Sequence, residues 1–269
     1  MGASGLVGTV DEVVAALDEV VAHCVGQGSR LGYFAAVYRT VTAKIHEGIM
    51  SGLFDDGERM ARLDVVFANR YLAAMDGWQR HQPVTRSWEA ACSAAGRWPP
   101  LVLQHLVVGI NAHINLDLGI ACAEVAPGAA LPTLRRDFDR INEILALLLR
   151  SVLDRIGRIS PWIRILDWAG GRSDDELIKF SIEVARTQAW GFARELAPLP
   201  RSHWGGPIGA CDTRVARLTG VILGQPYALL IRGRESNDVR RNIQILGAVP
   251  GPDLGLVEER TMRERASSH

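Results

Sequence analysis

Apolar residues recur at three-and-four spacing along most of the chain, and two-residue alternation is nearly absent. The pattern predicts an all-helical fold. In Val10–Val25 (VDEVVAALDEVVAHCV) the apolar residues share one face and the acids the other, with Gly26 and Gly28 as a stop. A second helix over 31–51 brings Tyr38, Thr42 and His46 near one another, and Gly52, Asp55, Asp56 and Gly57 form a loop. A third helix over 58–78 places Asp64, Phe67, Ala68 and Tyr71 on one face, and a shorter one over 85–95 ends before Gly96. Pro132 opens a strongly amphipathic helix that runs to about residue 158. Ser160, Pro161 and Gly170-Gly171 bracket a Trp-rich connection, and Ser173 caps a helix reaching about Leu196. Residues 198–210 read as loop, followed by two shorter helices over about 212–223 and 236–247. The expectation is a single all-helical, bundle-like domain over 1–250, of about seven to nine helices, with 251–269 as a charged tail. Its core comes from helices near 30–52, 57–79, 98–125, 131–158 and 173–198.

The stretch 98–125 (WPPLVLQHLVVGINAHINLDLGIACAEV) departs from the amphipathic pattern because it is apolar on nearly every side. Such a helix belongs in the middle of a protein. Gln104, His105, Asn111, His113, Asn115 and Asp117 would all be buried with it. A buried polar group is costly unless paired, so each needs a partner or a task. The stretch is long enough to span a bilayer, yet its two His, two Asn and one Asp favour a buried helix over a membrane span.

Composition narrows the field. Hydrophobic residues make up 48% and charged residues 22% of the 269, with zero formal net charge, so no global field draws the chain to nucleic acid or anionic lipid. The arginines at 214, 217, 232, 234, 240 and 241 lack interleaved aromatics and have acids nearby, which also argues against nucleic-acid binding. Lys44 and Lys179 are the only lysines among 30 basic residues, a skew expected of a GC-rich bacterial genome. Cys24, Cys92, Cys122 and Cys211 are scattered and form no CxxC pair, and no secretory signal opens the chain, so reduced thiols in a cytoplasm are expected.

The runs LQHLVVGINAHINLDLGIA, RRDFDRINEIL and ARTQAW resemble an uncharacterised bacterial family catalogued only as a domain of unknown function. LDVVFANRYLAAMDGW and ALLIRGRESNDVRRNIQIL are similar to the same pattern, so the resemblance covers roughly residues 30–248, with GINAHINLDL its most specific part. It implies a helical domain with His, Asn and Asp at a common site, and no activity.

Residues four apart on an α-helix drift by only about 40°. His105, Gly109, His113 and Asp117 therefore form a slowly turning stripe, with Gly109 leaving room for a ligand or a close helix. His113 and Asp117 are placed to touch or to bind one ion, with His105 close by. Gln104, Asn111 and Asn115 face the other way as cross-helix hydrogen bonders, although Asn111 is also a candidate ligand contact. The functional expectation is an acid–base site between helices, with His113, Asp117 and His105 catalytic. Asp64 and Tyr71 would join from a facing helix, and Arg186, with Trp190 four residues on, would hold a buried carboxylate or an anionic substrate. A salt bridge from Arg186 to Glu183 is the plainer alternative. Asp137 is expected to complement its helix dipole, and Arg232, Glu235 and Asp238 to form a surface ion-pair set.

Three functions compete at this point. One is an enzyme that hydrolyses, isomerises or cyclises a small, largely apolar molecule without an organic cofactor. Another is a metal-dependent hydrolase or oxygenase, with a divalent metal on His105, His113, Asp117 and Asp139 and with Glu47, Asp64, Asp137 or Glu143 available to complete it, although HExxH and ExxH motifs are absent. The third is a non-catalytic small-molecule-binding or interaction protein whose polar core fixes helix register. A homodimer is compatible with all three.

Overall fold

A computed structural model describes residues 6–97, 100–161, 174–224 and 232–248. Helix dominates, and no strand occurs among the described residues. The elements are α1 (Val10–Gln27), α2 (Gly32–Met50), α3 (Gly57–Gln79), α4 (Arg86–Ala95) and α5 (Val102–Ala112). A π-helical turn (His113–Leu118) joins α5 to α6 (Gly119–Val125), and α7 (Leu131–Ile159), α8 (Asp174–Leu196), α9 (Gly205–Leu223) and α10 (Val239–Gly247) follow. The Trp-rich connection, the Ser173 cap and the charged tail fall outside the described residues.

The helix starts follow local chemistry. Thr9, Asp56, Thr85 and Asp238 each accept from a backbone amide three residues on, which satisfies a donor the helix leaves orphaned. Gly28 ends α1 in the left-handed region at φ 64°, where a side chain would be strained.

The central element is the run Val102–Val125, and 78% of its most apolar stretch is buried. It begins four residues later than the pattern predicted. Leu101 is extended ahead of it (φ −74°, ψ 158°), as the residue flanking a helix start typically is. The α5 half packs on α2, α4 and α9, while the π turn and α6 pack on α8 and α3. Gly119 permits the α8 approach, because a Cβ there would lie 2.8 Å from the Ala189 carbonyl oxygen. Two apolar clusters result. One joins α6, α7 and α8 with the ends of α2 and α3, the other joins α1, α2, α4, α5 and α10, and Phe67 packs against both.

Two expectations need correction. Residues 198–210 are not loop throughout: after one 3₁₀ turn at Arg201–His203, α9 starts at Gly205. Pro207 falls in its first turn, where its missing N–H would have been unpaired anyway, so the Gly-Gly-Pro composition marks a helix start. Arg232 and Glu235 are not a surface pair. Both are buried, 2.6 Å apart, and both Glu235 carboxylate oxygens accept from the Val102 amide at 3.1 Å. Together with Gln104 Oε1, which accepts from Leu101 N at 2.9 Å, they cap the central helix from within the protein.

Candidate functional site

The π turn holds both His113 and Asp117. Such turns are rare and recur where helices carry function. Asp117 is buried and accepts three bonds: from Arg70 Nε at 2.9 Å, from Trp88 Nε1 at 2.8 Å, and from His113 Nδ1 at 3.3 Å. A carboxylate held by a guanidinium and an indole N–H can only accept from the imidazole, so the proton of neutral His113 sits on Nδ1. Nε2 is then a lone-pair nitrogen, buried and without a hydrogen-bond partner among the described residues. Burial lowers the His113 pKa, against the raising effect of Asp117, so the ring is neutral near pH 7. Phe67 stacks on it at 3.6 Å and Tyr38 meets it edge-on at 4.6 Å.

The ring lies at the wall of a partly open cavity of about 140 Å³ bordered by α2, α3, the central helix, α7 and α8. Among the described residues, Tyr38, Asp64, His113 and Arg186 are the polar lining, and all the others are aliphatic, aromatic or Met. Asp64 Oδ2 is buried without a partner, and burial pushes the carboxyl up to about 7. The Tyr38 phenol is held well above its ordinary value, first by burial and then by the charge of Asp64. Asp117 does not line this cavity. It borders an open groove on the other side, beside Arg70, Trp88, Asn69 and Glu124.

His105 is separate from His113. Phe34 fills the space that Gly109 leaves: a Cβ on Gly109 would lie 2.6 Å from Phe34 Cγ. The missing side chain therefore admits a close helix and leaves no room there for a ligand. His105 and Tyr71 line a much smaller void of about 20 Å³ behind Phe34, and burial drops the His105 pKa to about 4. Gly109→Ala is accordingly expected to force α2 and α5 apart, at about 1–3 kcal/mol of stability. Urea unfolding would check this, and a midpoint equal to wild type would show that Phe34 gives way freely.

The remaining candidates have other tasks. Asn111 Nδ2 donates to Val215 O and Thr219 Oγ1, and its Oδ1 accepts from Asn115, so it stitches α5 to α9 and has no group left for a ligand. Gln104 Nε2 donates to Ile222 O in the same manner. Trp190 packs on Phe138 with ring centres 4.9 Å apart and does not line the cavity. Asp139 is half-exposed and paired with Arg135 at 2.6 Å, and Glu47 is exposed and paired with Lys44. Asp137 lies seven residues into α7, too deep to complement its dipole. It accepts instead from the Asp55 and Asp56 amides at the entrance to α3. The predicted metal set thus does not converge, and among the described residues no three His, Cys, Asp or Glu side chains come together for an ion. Arg186 reaches the cavity but pairs with Asn142 Oδ1 and Phe138 O in place of Glu183.

Arg70, Trp88, Phe34 and Phe67 were not legible as site residues. One signal was available: a Trp on the apolar face of a predicted helix needs a partner for its N–H, and a buried Asp needs donors. Spacing gave no sign that α3, α4 and the central helix meet at one carboxylate.

The chain belongs to the family of unknown function DUF5995, whose model matches residues 10–225. The match begins earlier than the resemblance suggested and stops before the segment 228–246. No curated protein and no solved structure matches the chain.

Proposed function

We propose that this protein is an enzyme that moves a proton on a small, largely apolar molecule bound in the interhelical cavity. One observation carries the reading: His113 lines that cavity with its buried Nε2 unpartnered while Asp117 holds its Nδ1. His113 is the general base, a role that neutral imidazole fills near pH 7. Asp64, with a pKa about 7, is protonated in about half of the molecules at neutral pH and in that form serves as the acid. Asp117 is a positioning residue, because it touches the imidazole and not the cavity. The cavity is about as large as the roughly 150 Å³ voids known to take up benzene, so the substrate is of that order. Among the described residues no serine or cysteine lines it, and the described walls are almost wholly apolar. That favours isomerisation or cyclisation, in which a proton leaves one atom and returns to another, over hydrolysis.

The test is solvent isotope exchange. A small-molecule extract of the source cells is incubated with the protein in D₂O and examined by mass spectrometry. Wild type should introduce deuterium into an apolar metabolite, and folded His113→Gln should do so at least about 100-fold more slowly. Equal exchange by both proteins, or none by wild type, would overturn the assignment of His113. A molecule retained unchanged would instead support the non-catalytic binding reading, which the cavity also serves. Elemental analysis of protein purified without chelator tests the metal-dependent one.

A further inference from the structure

We infer that the molecule this cavity takes is a small apolar carboxylic acid in its ionised form, with its carboxylate held by Arg186. The inference rests on the cavity reading above and adds the class of ligand. Arg186 is only 4% exposed and lines the cavity. Its Nε donates to Asn142 Oδ1, its Nη2 donates to Phe138 O, and its guanidinium carbon lies 4.2 Å over the Phe138 ring. These partners are all neutral. No ion pair joins Arg186 to a carboxylate among the described residues, and Asp139, whose charge it feels, is committed to Arg135 at the surface. The Nη1 amino group is not used by either bond.

Magnitudes decide which charge governs the ligand. Burial lowers the Arg186 pKa to about 10, which leaves the guanidinium charged at neutral pH. Asp64 can shed its charge by binding a proton near pH 7, so it does not require a cation in the cavity. Arg186 has no such escape. A charge buried without a counter-ion is among the costliest arrangements in a protein, and a carboxylate is the acceptor that a guanidinium binds best. The apolar walls then select an aliphatic or aromatic body, and a volume near that of benzene limits it to roughly six to nine non-hydrogen atoms.

The experiment is titration calorimetry at pH 6, where Asp64 is mostly protonated and Arg186 charged, with hexanoate, hexanamide and 1-hexanol, which share one apolar body. Hexanoate should bind wild type at least about ten-fold more tightly than hexanamide, the margin expected for a charge-assisted bond. Arg186→Met should erase that margin while retaining 1-hexanol binding, and Ile110→Phe, which fills the cavity, should abolish binding of all three. Circular dichroism establishes that the variants fold, and if Arg186→Met does not, the wild-type order decides alone. Hexanamide or 1-hexanol binding as tightly as hexanoate would overturn the carboxylate inference and leave the cavity reading standing. Hexanoate binding that survives Ile110→Phe would place the anion elsewhere and overturn it too. Binding of no probe would overturn both.

Discussion

Asp117→Asn is expected to lower the unfolding midpoint of this protein by about 5–15 °C, at about 2–4 kcal/mol of stability. Asp117 takes bonds from Arg70, Trp88 and His113 at one buried carboxylate. Asparagine keeps the shape but offers a single acceptor oxygen, and its amide hydrogens must point at one of those three donors. A buried donor left unpaired costs about 1–3 kcal/mol. The Arg70 side chain is 27% exposed, so water recovers part of the loss on that side and the estimate stays below that for a wholly buried pair. Calorimetry gives the midpoint, and the ¹⁵N shifts of His113 report a second consequence, since losing the carboxylate frees the imidazole proton to occupy either nitrogen. An unchanged midpoint together with an unchanged His113 tautomer would show that Asp117 neither supports the fold nor orients the base.

Asp64→Asn should act in the opposite direction, by an amount that grows as pH rises from about 4 to 7 and then levels off. Asp64 has a folded pKa of about 7 against an ordinary 3.8, so between those values the native protein holds a proton that the unfolded chain has released. Stability from this group is therefore complete below pH 3.8 and is lost as pH rises through 7, by about 4 kcal/mol in all. His105 opposes it. Its pKa falls from 6.5 to about 4, so its contribution is complete above pH 6.5 and is lost as pH drops towards 4, by about 3 kcal/mol. Burial moves His113 the same way. Over pH 4 to 6.5 the Asp64 and His105 trends run in opposite directions and largely cancel. The lowered His113 tips the balance, so stability should rise gently towards about pH 6.5 and decline slightly above it. Denaturant unfolding at pH 8 should find Asp64→Asn more stable than wild type by up to about 4 kcal/mol, with little difference at pH 4. A gain of the same size at both pH values would mean that the charge of Asp64 is not what limits stability.

Much of the fold could be read from periodicity. The three-and-four spacing located the helices, and the absence of a polar face marked 98–125 as the element the others surround, which the structure gives as Val102–Val125. Gln104 and Asn111 were legible as cross-helix bonders because an amide in an apolar helix has few other options. The contact between His113 and Asp117 was legible because it lies within one helix, where spacing fixes distance. The π turn that contains them was not, since an α-helical register serves the same sequence locally.

By itself, then, the sequence determined which surfaces are buried and which polar side chains go inside with them. Tertiary structure alone decided what those side chains meet. Phe34 entered the gap at Gly109 and divided a stripe of two histidines into two unrelated environments. Arg70 and Trp88 converged on Asp117 from 47 and 29 residues away, and Arg186 found neutral partners where an acid had been expected. The physical reason is that helical periodicity states which face of an element avoids water. The partner for that face is chosen by how whole helices pack, and packing is a property of all of them together.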